Sequence, residues 1–227
     1  GSEMCIRDRF LASSTSASFN DASAVAGTVY TYGVRSVLVP SGESALSATD
    51  SGYRRLATPS APSVSAGTST AHASVSWNAV SGAASYFLVR SGGGTETAIG
   101  PLGGTVYLDT NATAGVLYSY AVRATTSSNV GNSELGVSAS GWRSLAAPTG
   151  LAASQGTSSA GVTLTWIAPT GTVMGYQVYR NGTPIDDVQP PTVKSYVDVD
   201  VAATPGVKYT YFVTALGETG TGPSAAS

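Results

Sequence analysis

The sequence predicts an all-β chain of small antiparallel sandwiches set in series, and three observations carry that reading. A Gly-x-x-Tyr-x-Tyr-x-Val stretch occurs three times, at Gly27–Val34, Gly115–Val122 and Gly206–Val213. Its period-2 alternation puts both tyrosines and the valine on one face of a strand. Tyr30, Tyr118 and Tyr209 stand 88 and 91 residues apart, the length of one sandwich and too long for a solenoid repeat. The segment that follows each of the first two copies is also repeated: Ser51–Pro59 and Ser140–Pro148 share an aromatic, Arg, Leu and Pro at the same offsets. A flexible tether needs only composition, so a segment repeated in type and order predicts a defined junction.

Taken in order, residues 1–9 open on Met4-Cys5-Ile6-Arg7-Asp8-Arg9. This string resembles the translation of a transposase mosaic-end sequencing adaptor, and 1–9 is read as an artefact or a disordered tail outside the fold. Residues 10–56 read as the second half of a module. Phe19-Asn20-Asp21 precedes Gly27 as Tyr107-Leu108-Asp109 precedes Gly115, which predicts a strand before the Tyr strand in both. A turn at Pro40-Ser41-Gly42 and a last strand near Ser44–Ala48 follow. No strand with a core Trp comes first, so half of this sandwich is missing, leaving an uncovered face and an open edge.

Residues 57–145 form a complete module. Ala73-Ser74-Val75-Ser76-Trp77 alternates into an aromatic anchor, Tyr86–Arg90 is the next strand, and Ser91-Gly92-Gly93-Gly94 supplies a turn. Strands at Tyr107, at Tyr118 and near Glu134–Ser138 complete it. Residues 146–227 repeat that order: Val162–Trp166, Tyr176–Arg180, an Asn181-Gly182 hairpin turn of type I′, Ser195–Asp198, then the Tyr209 strand.

Composition limits the function. Charged residues are 11% of the chain and the formal net charge is −2, so no basic face exists to neutralise a phosphate backbone, and nucleic acid is excluded as a partner. Cys5 is the single cysteine, which leaves no internal disulfide. No stretch approaches the roughly 20 apolar residues of a membrane helix, and no signal peptide opens the chain. His72, the single histidine, has Ala, Ser and Thr around it in sequence rather than catalytic or metal-ligating partners. There is no Gly-x-Ser-x-Gly elbow. Asp198 and Asp200, two apart, are placed on one solvated strand face, with Asp186-Asp187 earlier; a calcium ion wants about six to eight oxygens in a spaced loop, and none is present. Catalytic, cofactor and metal residues are therefore none, and the chain is read as not an enzyme.

The Trp strand (Trp77, Trp166), the Tyr-x-Leu/Val-x-Arg strand and the Gly-x-x-Tyr-x-Tyr-x-Val strand together resemble tandem fibronectin type III repeats of the bacterial kind, over about residues 10–227. The resemblance implies immunoglobulin-like seven-stranded sandwiches with Greek-key connections, preceded by one incomplete half-module. It implies a core built on Trp77 and Trp166, and tyrosine corners at Tyr30, Tyr118 and Tyr209 whose hydroxyls bond nearby backbone. Ala114 stands where the family often has Pro. None of the turns between the last two strands carries Arg-Gly-Asp.

Tyr53 with Arg54, and Trp142 with Arg143, remain as candidates for binding or for the inter-domain junction. Each ring either packs against the next module or stacks on a ligand. The expectation is a non-catalytic spacer or adhesion-type region of a larger secreted or cell-surface bacterial protein, partnered by its neighbouring repeats. The alternatives are a module binding polysaccharide or a cell-surface protein, and an accessory segment of a secreted polysaccharide-degrading enzyme.

Overall fold

The computed structural model describes residues 2–6, 9–38 and 40–227; the side chains of residues 2–9 and 202–203 fall outside it. The first module is one sheet of β1 (Ser2–Ile6), β2 (Arg9–Ser14), β3 (Val29–Leu38), β4 (Gly42–Glu43) and β5 (Asp50–Tyr53), ordered β2-β1-β3-β4 with β5 also on β3. The second holds seven strands: β6 (Ser63–Val64), β7 (Ala73–Ser76), β8 (Ser85–Gly92), β9 (Thr95–Leu102), β10 (Val106–Asp109), β11 (Tyr118–Thr125) and β12 (Ala139–Gly141). They form a three-stranded sheet β10-β7-β6 facing a four-stranded sheet β12-β11-β8-β9. The third repeats the plan with β13 (Thr149–Ala153), β14 (Val162–Ile167), β15 (Gly175–Arg180), β16 (Thr183–Val188), β17 (Ser195–Asp198) and β18 (Tyr211–Leu216), in sheets β13-β14-β17 and β16-β15-β18. All strand pairs are antiparallel.

Alternation decides the core. In β11, Tyr118, Tyr120 and Val122 are all buried, and they share one core with Leu88 of the neighbouring strand and with Val75 and Trp77 from the facing sheet. The third module buries Leu164, Trp166, Tyr176, Val178 and Val213 in the same way. Each Trp lies edge-on to the Tyr that opens the next strand, Trp77 to Tyr86 at 5.5 Å and Trp166 to Tyr176 at 5.2 Å between ring centres, the geometry that aromatic quadrupoles favour. Asn181 and Gly182 take φ +52° and +84°, so the β15–β16 turn has the two positive φ values that a type I′ hairpin requires.

The first module departs from expectation at both ends. Phe19-Asn20-Asp21 forms no strand. Its counterpart β10 exists by pairing with β7, and among the described residues the first module has no such Trp strand to pair with. Of the expected tail, residues 1, 7 and 8 lie outside the described residues, but Ser2–Ile6 is a strand and not a free end. β1 pairs with β3 in the slot that β8 takes beside β11: Ile6 stands opposite Tyr32, Met4 opposite Val34, as Arg90 stands opposite Tyr120 and Leu88 opposite Val122. An open edge of unpaired amides and carbonyls recruits whatever extended segment is at hand. Among the described residues no second sheet covers β3, and Val34 is 37% exposed where its counterparts Val122 and Val213 are 1% and 0%.

The expected last strands, 44–48 and 134–138, are not strands. Serine hydroxyls take the ladder position there. Ser44 and Ser47 accept from the amides of Ser36 and Val34, Ser133 from Ala124, and Ser224 and Ser227 from Ala215 and Val213. A side-chain oxygen that stands in for a carbonyl breaks the regular ladder while leaving the amide satisfied. The regular edge strand resumes at β12, which pairs with Tyr118–Tyr120. In the third module β18 begins at Tyr211 rather than at Tyr209.

Candidate functional site

The residues with most polar chemistry meet between the sheets. Asp109 ends β10, Arg90 lies on β8, and Tyr118 and Tyr120 lie on β11. Asp109 is fully buried, and both of its oxygens are committed. Oδ1 accepts from the amides of Asn111 at 3.1 Å and Ala112 at 3.0 Å; Oδ2 accepts from Arg90 Nη1 at 2.8 Å and the Tyr120 hydroxyl at 3.0 Å. The guanidinium also lies 4.9 Å from the centre of the Tyr118 ring, a cation–π distance. The third module repeats the set. Arg180 Nη1 reaches both oxygens of Asp198 at 2.8 Å, the Tyr211 hydroxyl donates at 2.9 Å, and Arg180 stands over Tyr209 at 5.7 Å.

Burial, reinforced by the neighbouring carboxylate, pushes the Tyr120 and Tyr211 phenols well above their usual range. With donors from one sheet converging on a buried carboxylate of the other, the arrangement clamps the two sheets together. The first module keeps only part of it. Tyr32 donates to Asp21 at 3.1 Å, Ser23 holds that carboxyl below its ordinary range, and Ile6 occupies the register position of the arginine.

This corrects the placement of Asp198 on a solvated face beside Asp200. Asp198 is buried, and Asp200 starts a 3₁₀ turn, Asp200–Ala203. The constellation was in the sequence as the arginine closing each Tyr-x-Leu/Val-x-Arg strand and the second tyrosine of each Gly-x-x-Tyr-x-Tyr. Only the fold shows that the two meet on an aspartate. Among the described residues no three His, Cys, Asp or Glu side chains come together as a metal site. His72 is half-buried, and its amide bonds Ser69 Oγ.

The corner tyrosines each bond five residues upstream. The Tyr30 and Tyr118 hydroxyls accept from the amides of Val25 at 3.2 Å and Thr113 at 3.3 Å, whereas Tyr209 pairs with the Thr204 hydroxyl at 2.5 Å.

The junction residues lie where modules meet. Arg54 donates to the carbonyls of Ala22 and Ala24, and Arg143 to those of Thr110 and Ala112, so each arginine grips the corner of its own module. Each carbonyl in turn accepts from a glycine amide, Arg54 from Gly27 at 2.8 Å and Arg143 from Gly115 at 3.0 Å. Each ring lies against a glycine of the following module: a Cβ on Gly131 would lie 3.1 Å from Tyr53, and one on Gly222 would lie 3.8 Å from Trp142. Leu56 and Leu145 are buried in the apolar core of the module that follows, each beside the alanine of the preceding corner, Ala26 or Ala114. Backbone bonds cross both joints: Leu56 N–H to Gly131 O at 2.8 Å in one, and Thr172 N–H to Ala114 O at 2.9 Å and Glu218 N–H to Gly115 O at 2.8 Å in the other. Gly115, at φ +77°, has no room for a side chain, because a Cβ there would meet Thr172 O at 2.5 Å.

Two antiparallel sandwiches in series, one of three plus four strands and one of three plus three, define residues 57–227 as a tandem pair of immunoglobulin-like domains. Residues 146–227 match the family model described as fibronectin type III domain, and through them the chain belongs to the fibronectin type III family. A two-domain fibronectin type III segment from chicken tenascin superposes with a TM-score of 0.59 at 21% identity, covering 75% of this chain and 96% of that one, which shows the tandem fold. A fibronectin type III-like protein from Clostridium thermocellum is 31% identical over 39% of this chain and 93% of its own, with a TM-score of 0.34. Exoglucanase B of Cellulomonas fimi is 31% identical over 220 residues, 86% of this chain, and the chain spans 19% of that protein's length. No helix among the described residues is long and apolar enough to cross a membrane.

Proposed function

We propose that this chain is a non-catalytic spacer within a larger secreted or surface-attached bacterial protein, an array whose joints set the direction of each module relative to the last. One observation carries the reading: each joint repeats the same aromatic-Arg-x-Leu device, with the leucine sunk into the following core and the backbones bonded across the gap. A tether that only separates domains needs none of this. In such arrays stability is a sum of module and interface terms. Small-angle scattering of the full chain tests it. A stiff elongated particle, loosened by Leu145→Ala, supports defined joints, and the profile of freely hinged bodies for the unmodified chain contradicts them.

A second reading is an accessory segment of a polysaccharide-degrading enzyme, favoured by the likeness to Exoglucanase B. In that case the segment would hold a catalytic domain away from its substrate or assist in engaging it. Trp142 is a poor sugar platform, being partly buried between Gly67 and Gly222, whereas Tyr53 is 54% exposed. Retention of the chain on insoluble polysaccharide, lost on Tyr53→Ala, would favour this reading; no retention would set it aside.

A further inference from the structure

The sheet β16-β15-β18 of the third module turns Val178 and Val213, both fully buried, into the core. Alternation therefore sends Gln177 and Tyr179 of β15, and Phe212 and Thr214 of β18, to the outer face. Register pairs them there: Tyr179 stands opposite Phe212 and Gln177 opposite Thr214, with Asp187 of β16 on the other side of Gln177. The two rings stack with centres 4.3 Å apart and planes 16° from parallel, and both are partly exposed. The Tyr179 hydroxyl donates to Gln177 Oε1, and Gln177 Nε2 donates to Asp187 Oδ1 at 3.0 Å.

This face holds more than the sheet requires. Counted from the matched Arg and buried Tyr, the second module has Val89 and Ala121 in place of Tyr179 and Phe212, and Phe87 and Arg123 in place of Gln177 and Thr214. The stacked pair is therefore not a condition of the fold. Thr214 lies on the outer face yet is 5% exposed, and its hydroxyl has no partner among the described residues. A buried hydroxyl left without a bond is destabilising, and a valine of the same shape would avoid it. Among the described residues Asp187 Oδ2 accepts no bond either.

We propose that this face is a binding site for a neutral pyranose chain. A pyranose ring has an apolar C–H face and a rim of hydroxyls. The ring pair takes the first, while the Gln177 amide, the Asp187 carboxylate and the unpaired Thr214 hydroxyl take the second. Thr214 is reached as Gln177, its cross-strand neighbour, releases Asp187 and turns to the ligand. Charge selects the class of sugar: Asp187 is the one ionic group of these five residues, and Arg180 beside them is turned inward onto Asp198, so an acidic polymer is repelled. An apolar peptide segment would leave the buried hydroxyl and the carboxylate unserved. The proposal rests on the accessory-segment reading for the choice of polymer and deepens it by placing a sugar contact in the third module.

The test is a titration of the full chain, labelled in its Phe rings and Thr methyls, followed by nuclear magnetic resonance. Cellohexaose supplies a neutral chain and hexagalacturonate an acidic one. Saturating shifts of the Phe212 ring and the Thr214 methyl are expected with cellohexaose, and none with hexagalacturonate. Tyr179→Val with Phe212→Ala installs the residues that the second module carries. It should weaken binding by about tenfold or more while the backbone shifts of β14 and β17 stay in place. Thr214→Val should weaken binding by about threefold or more without lowering the urea midpoint. Absence of cellohexaose shifts on this face, an equal response to both oligomers, or binding unchanged by the double substitution overturns the proposal. Retention on insoluble polysaccharide that Tyr53→Ala abolishes and the double substitution leaves intact would remove this site and keep the accessory-segment reading. Absence of both retention and shifts would remove the two together.

Discussion

Removing the Asp109 carboxylate is the perturbation whose cost the structure sets most clearly. Asp109→Ala leaves four donors without their acceptor around a fully buried position: the Arg90 guanidinium with a 13% exposed side chain, the fully buried Tyr120 hydroxyl, and the amides of Asn111 and Ala112. Breaking a buried pair from one side costs about 3–5 kcal/mol, and the orphaned hydroxyl and amides push the value to the upper part of that range. Against the roughly 5–15 kcal/mol that holds a domain folded, this is a large fraction. Replacing all three polar partners together, Asp109→Leu with Arg90→Leu and Tyr120→Phe, should cost much less, because no charge is left unpaired. Hydrogen exchange of the β11 amides reads the second module separately from its neighbours. A single substitution that costs less than about 1 kcal/mol, the scale of a surface ion pair, would refute the clamp.

Other outcomes follow from the same contacts. Tyr120 and Tyr211 hold their protons more tightly folded than unfolded. Their contribution is therefore complete below the free phenol value of about 10 and falls as pH rises above it; urea midpoints taken across that range should drop, and Tyr120→Phe with Tyr211→Phe should flatten the drop. Leu145→Ala should destabilise the third module by about 2–5 kcal/mol, as for other buried leucines, although the residue belongs to the linker; thermal unfolding of the chain checks it. Gly182→Ala places a Cβ at φ +84° and should cost about 1–2 kcal/mol, and Asn181→Gly, which keeps the turn but removes the acceptor of the Thr210 amide, should cost about 0.5–1.5 kcal/mol in the same denaturant series.

Most of the sandwich was legible because alternation, anchors and turns are local signals. Trp77 and Trp166, the buried tyrosine strand of the second module and the Asn181-Gly182 turn are each specified within a few residues. What was not legible depends on partners distant in sequence. Asp198 looks like a surface acid until Arg180, 18 residues earlier, and Tyr211, 13 residues later, converge on it. The last strands were misplaced because serine hydroxyls satisfy amides that a ladder would otherwise pair, and serine alone does not announce that role. Phe19–Asp21 failed to become a strand for want of a neighbour, which no local pattern records.

The central claim is that the joints are built and not merely spaced. The most direct measurement is the distance distribution between spin labels at Leu108→Cys and Val197→Cys, exposed and equivalent positions on β10 and β17, in the full chain with Cys5→Ser. A single narrow distance, broadened by Leu145→Ala, is the expected result. A broad distribution in the parent chain, unchanged by that substitution, would contradict it.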